Sequence, residues 1–225
     1  MKPEVTFMSG NSHNEEFKLI VISSPDGFDR EIQDVIEMFE HGLKYFHIRK
    51  PKFSTSRLRE YLGKINPKYY NRIVLHSHHE LCIPFKVRGV HLTQRHRKKN
   101  FVASWLRMKY IKFRRPSIEV TAACHTIGSL KIQNKDYAYI FLSPVFDSIS
   151  KVGYKSTFSE DSLEKMLGKT GYTVVALGGV DEDKIEQAKQ WGFNGVALLG
   201  SLWKAKDPVE KFKRIKLKCE QIVST

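Results

Sequence analysis

The sequence predicts an α/β protein folded as a single-domain (β/α)8 TIM barrel, and three observations carry that prediction. Eight short apolar, β-branched runs recur along the chain. Segments with a helical period separate most of them, an alternation that specifies a parallel sheet. The length of 225 residues is the usual size of one such barrel, and no linker divides it into two smaller domains.

Residues 1–17 have no sustained period and contain Gly10, Asn11 and Ser12, so they are expected to form a flexible N-terminal extension, with residues 18–225 forming the barrel domain. The candidate strands are residues 19–23, 45–49, 73–77, 89–93, 118–122, 137–142, 173–177 and 195–199. Between the first two strands, Ile32, Val35, Ile36 and Phe39 recur at helical spacing over residues 29–41. A second helix is expected over residues 181–191 with Asp181 as its N-cap, and a last one over residues 207–219, where Pro208 suits the first turn. The segment between the fourth and fifth strands has only a weak helical pattern.

Hydrophobic residues make up 41% of the chain, enough to bury a sizeable core and too many for a disordered protein. No run approaches the roughly 18 apolar residues of a membrane span, and the first 17 residues lack the apolar core of a signal peptide, so a cytoplasmic protein without a membrane partner is expected. Cys82, Cys124 and Cys219 are odd in number and widely spaced, which suggests reduced thiols rather than disulfides or a zinc site. The net charge of +14 favours anionic ligands. Much of it lies in residues 95–115, but no nucleic-acid motif accompanies that stretch, so no nucleic-acid partner is expected. A homo-oligomer is left open.

Barrel enzymes carry their reactive groups on the loops that follow the strands. After the second strand, alternation turns His47 and Arg49 to one side of the strand, where they suit an anionic ligand. After the third come His76, Ser77, His78, His79 and Glu80. This run resembles a metal cluster, but the adjacent His78 and His79 cannot easily share one ion, and no metal is expected there. His125, after the fifth strand, is the leading acid/base, because imidazole titrates near neutral pH. Ser148, Ser150 and Lys151 follow the sixth strand, two hydroxyls and an ammonium that suit a phosphate. Gly178 and Gly179, with Leu199 and Gly200, follow the seventh and eighth strands, where barrels commonly bind phosphate on backbone N–H groups.

Taken together, HIRK at 47–50, GVHLTQ at 89–94, CHT at 124–126, SPVFDSISK at 143–151, ALGGV at 176–180 and GVALLGS at 195–201 resemble the thiamine phosphate synthase and TenI superfamily over residues 18 to 215. The resemblance implies a thiazole phosphate on the last three loops, held by Ser148, Ser150, Lys151, Gly178, Gly179, Leu199 and Gly200. It also implies an aminopyrimidine diphosphate with magnesium on the second to fourth loops of the synthases. That second half departs from the pattern. His47 and Pro51 replace a glutamine and a lysine, and Ser77 and His96 stand where magnesium carboxylates are expected.

TenI-type proteins, by the same resemblance, isomerise a thiazole carboxylate phosphate without metal, and they share the His-Ile-Arg run and a histidine matched here by His125. The sequence therefore favours a TenI-like tautomerase with no cofactor, whose partner is a phosphorylated thiazole small molecule. The alternatives are a divergent synthase, which would use magnesium or set Lys50, Lys52, His96 or Arg97 against the diphosphate, and a non-catalytic thiazole or thiamine phosphate regulator.

Overall fold

In the computed structural model, which describes residues 16–25, 30–93, 101–131, 137–147 and 158–224, eight parallel strands close into a barrel in the order β1 to β8. They are β1 (Lys18–Ile22), β2 (Tyr45–Ile48), β3 (Ile73–Leu75), β4 (Gly89–Leu92), β5 (Glu119–Cys124), β6 (Tyr139–Leu142), β7 (Val174–Leu177) and β8 (Gly195–Leu198). All eight fall within one or two residues of the expected runs. β1 closes the ring by pairing with both neighbours, Ile20 beside Tyr45 and Leu19 beside Val196. Every strand is therefore paired on both edges, so no open ladder of backbone groups remains.

The helices are α1 (Glu31–Glu40), α2 (Thr55–Gly63), α3 (Phe101–Arg114), α4 (Ile127–Lys131), α5 (Glu160–Leu167), α6 (Ile185–Gln190), α7 (Gly200–Trp203) and α8 (Pro208–Ser224). α1 buries Val35, Met38 and Phe39 against the sheet, at the three- and four-residue spacing of one helix face. α2 starts where Ser54 Oγ accepts from the Arg57 backbone N–H. Asp181 caps a short 3-10 turn ahead of α6, and Asp207 Oδ1 accepts from Glu210 N at the start of α8.

The helix expected to be weak, between β4 and β5, is a 14-residue helix. Its apolar residues are not arranged for the core. Val102, Leu106 and Phe113 are exposed, and only Ile111 is fully buried among its described side chains. Between β3 and β4 the described chain forms a single 3-10 turn, His79–Cys82, rather than an α-helix.

Two cores follow from the alternation of strand side chains. The larger fills the space between sheet and helices and takes Phe46 and Ile48 of β2, Val90 of β4 and Cys124 of β5. The smaller fills the barrel itself with Ile20, Ile22, Tyr139, Phe141, Val175 and Ala197. The inward positions of β2, β4 and β5 carry His47, His91 and Thr121, all buried polar groups. Burying polar groups is costly unless they are hydrogen-bonded, and these are: His91 bonds Thr121, and His47 bonds His76 and Tyr139.

Candidate active site

At the C-terminal end of the strands a cavity of about 610 Å³ opens among the loops. It is lined by Arg49, His76, His125, Gly178, Gly179, Leu199 and Gly200, so seven of the expected site residues meet in one place. His47 lies just beneath, fully buried. Ser148, Ser150 and Lys151 lie outside the described residues, as does His96.

His125 stands one residue past β5, where alternation returns the side chain to the inner side, and Cys124 is turned into the outer core. Its Nδ1 donates to the carbonyl oxygen of Ser143, 2.9 Å away. That bond fixes the tautomer and leaves Nε2 as the nitrogen able to take up a proton. The ring is solvent-exposed at the cavity.

Beside it, the β6 and β7 loops are locked together. Val145 N donates to Leu177 O and Phe146 N to Gly178 O, each at 3.0 Å. Gly178 and Gly179 have φ of +91° and +68°, and a Cβ on Gly179 would meet Asp147 O at 2.5 Å. Only glycine fits there. Ser201 Oγ donates to Val180 O at 2.7 Å and ties in the β8 loop. Lys204 and Lys211 also reach this part of the cavity, and Lys211 is paired with Asp181 at 2.8 Å. Neither lysine stood out in the sequence, because both lie past the loop glycines, on or beyond α7.

On the β2 to β4 side the cavity floor is imidazole. His47 Nδ1 contacts His76 Nε2 at 2.8 Å, and His47 Nε2 contacts Tyr139 Oη at 2.5 Å. His91 Nδ1 bonds Thr121 Oγ1 at 2.8 Å, and the His76 and His91 rings stack with centroids 4.1 Å apart. Burial lowers the pKa of His47 to about 3. Burial also holds His76 well below the usual histidine range, helped by the nearby His91, His47 and Arg49. Both rings are neutral at pH 7.

A family model described as thiamine monophosphate synthase matches residues 19–202. The chain belongs to this family. Among curated relatives, the thiamine-phosphate synthase of Bacteroides fragilis is 25% identical over 194 residues, covering 78% of this chain and 87% of its own. That of Leptospira biflexa serovar Patoc is 25% identical over 199 residues, covering 85% and 91%. The crystal structure of thiamine phosphate pyrophosphorylase from Bacteroides thetaiotaomicron superposes with a TM-score of 0.73 at 28% identity, over 92% of this chain and 98% of that one. The Pyrococcus furiosus thiamine phosphate pyrophosphorylase, at 18% identity, has the same fold with a TM-score of 0.72, over 93% of this chain and 98% of its own.

Within this family member the structure corrects one reading. Lys50 is not available to a diphosphate: it is buried, and its Nζ bonds Glu31 Oε2 at 2.6 Å and Ser24 O at 2.7 Å. The physical reason is alternation, since the residue after the inward Arg49 must turn outward, beneath α1. The histidine run after β3 also divides. His76 joins the cavity, His78 donates through Nε2 to Phe53 O, and His79 donates through Nε2 to His91 O. The third ring of the cavity floor, His91, went unremarked in the sequence. Its signal was there: in GVHLT it stands two residues from both Gly89 and Thr93, on the inward phase of the strand.

No described helix is long and apolar enough to cross a membrane.

Proposed function

We propose that this protein is an enzyme of thiamine biosynthesis that acts on a thiazole phosphate, and that its reaction is a TenI-like, metal-independent tautomerisation of the carboxylated thiazole phosphate. The observation that carries the reading is the setting of His125. With Nδ1 anchored on Ser143 O, Nε2 is the free nitrogen of a ring that lines the same cavity as the glycine-bearing backbone of the β7 and β8 loops. Aromatisation of the thiazole needs a carbon-bound proton removed and returned, which a rim imidazole can do.

The phosphate is assigned to the β7 and β8 loops around Gly178, Gly179, Leu199 and Gly200, with Ser148, Ser150 and Lys151 completing its shell. Lys204 adds positive charge at the same end, where Lys211 is balanced by Asp181. Arg49 and His76, which line the cavity, are assigned to the rest of the substrate, with Arg49 offering a guanidinium to a carboxylate and the buried His47 supporting His76 from beneath.

The names of the relatives favour a second reading, condensation of thiazole phosphate with an aminopyrimidine diphosphate to give thiamine phosphate. Against it, Asp181 is the only carboxylate lining the cavity among the described residues, and it is already paired with Lys211. Turnover assays with both substrate sets, with and without EDTA, separate the two. Tautomerisation that persists in EDTA is expected. Efficient, EDTA-sensitive formation of thiamine phosphate would replace this reading by the synthase.

A further inference from the structure

Three histidines that are far apart in sequence meet inside the barrel. His47, His76 and His91 belong to β2, the end of β3 and β4, on the inward phase of each strand. One ring nitrogen of each lies within 4.8 Å of one from each of the others, and all three residues are buried. We infer that this trio binds a divalent transition metal of borderline softness, Zn²⁺ in the first instance, at a site open to the cavity.

The donor set decides the class of metal. Three neutral nitrogens without a carboxylate suit zinc, nickel, copper or iron and are poor ligands for magnesium or calcium. Zinc held tetrahedrally at about 2.0–2.1 Å from each nitrogen places the nitrogens about 3.4 Å apart. The 2.8 Å His47–His76 contact must open slightly, and the widest of the separations, at most 4.8 Å, must close by up to about 1.4 Å, within reach of side-chain torsions.

The surrounding groups already orient two of the rings. Tyr139 Oη holds His47 through Nε2, and Thr121 Oγ1 holds His91 through Nδ1. Such outer bonds are what fixes an imidazole ligand's rotation and tautomer. His76 and His91 also line the cavity, so the fourth coordination position faces the ligand space, as in zinc sites that exchange ligands rather than closed structural ones. The Arg49 guanidinium nearby opposes a dication. An anionic oxygen of the cavity's occupant, taken at that open position, offsets the repulsion.

The inference does not rest on the proposed proton transfer, which needs no metal, since His125 is not among the ligands; with zinc bound, the occupant would meet the metal's open position in place of a direct contact with His76. It is tested on the full chain, stripped of metal by chelator, with Zn²⁺ alone. Calorimetric titration is expected to find one Zn²⁺ per chain, not displaced by excess Mg²⁺. X-ray absorption at the zinc edge is expected to show scattering from three imidazoles, a readout on the unmodified protein. His76→Ala and His91→Ala should each weaken binding about 100-fold or more. His78→Ala, in the same histidine run but turned to Phe53 and Thr55, should leave it unchanged. Absence of stoichiometric binding, scattering from fewer than three imidazoles, or binding that survives both trio variants would overturn the inference.

Discussion

The two sides of the barrel mouth are built from different materials. On the β6 to β8 side the cavity wall is backbone, shaped by Gly178 and Gly179 and cross-tied by main-chain bonds between loops. On the β2 to β4 side it is side chain, a floor of His47, His76 and His91 with Arg49 above it. A backbone wall recognises a generic anion and tolerates little change at its glycines. An imidazole floor is specified residue by residue, and exchanging its side chains changes the chemistry without changing the fold.

That contrast can be broken in several ways. The largest expected effect is at the buried ion pair beneath β2. Lys50→Ala removes the cation that neutralises the buried Glu31 carboxylate, leaving it the Tyr61 hydroxyl, and should cost about 3–5 kcal/mol in chemical unfolding. An intact fold with selective loss of substrate binding would return Lys50 to the ligand shell. On the backbone side, Gly179→Ala forces a Cβ into Asp147 O at a positive φ, and a loss of about 3 kcal/mol is expected, measured by the same unfolding curve. A variant as stable as the parent would show that the loop is not held as described.

Smaller effects separate binding from folding. If Lys151 contacts the phosphate, Lys151→Ala should weaken thiazole phosphate by about 1.5–3 kcal/mol in calorimetry, with the unphosphorylated thiazole unaffected. Equal loss for both ligands would contradict a phosphate contact. Smallest of all, Cys124→Ser alters a thiol buried on the far side of β5 from the cavity and should leave the turnover rate unchanged, at a modest cost in melting temperature. A slower rate in a fully folded variant would mean that the strand phase at His125 is wrong.

Much of the fold was legible because barrel strands announce themselves twice, by short β-branched runs and by the glycine, proline and charged residues that end them. Strand alternation turns His125 inward and Cys124 outward, as the structure has them. The same rule, carried one residue further, would have turned Lys50 outward to Glu31. It would also have added His91 to His47. These were missed because the burial of one strand position depends on its neighbours across the sheet, which a linear reading does not display. The helix at Phe101–Arg114 read weakly because Val102, Leu106 and Phe113 are exposed while Met108 and Ile111 pack inward, so the usual one-sided pattern is blurred. The adjacent pair His78 and His79 drew notice for being adjacent, whereas the rings that meet come from three different strands.

The central claim is that a backbone-built phosphate wall holds the substrate while one imidazole moves its proton. His125→Gln tests it most directly, because glutamine keeps a polar side chain of similar reach and cannot shuttle a proton near pH 7. Single-turnover conversion of the carboxylated thiazole phosphate, with its binding measured in parallel by calorimetry, should show affinity retained and isomerisation slowed at least about a hundredfold, within the 10²- to 10⁴-fold range of general acid–base catalysis. Unaltered turnover, or binding and turnover lost together, would contradict the account.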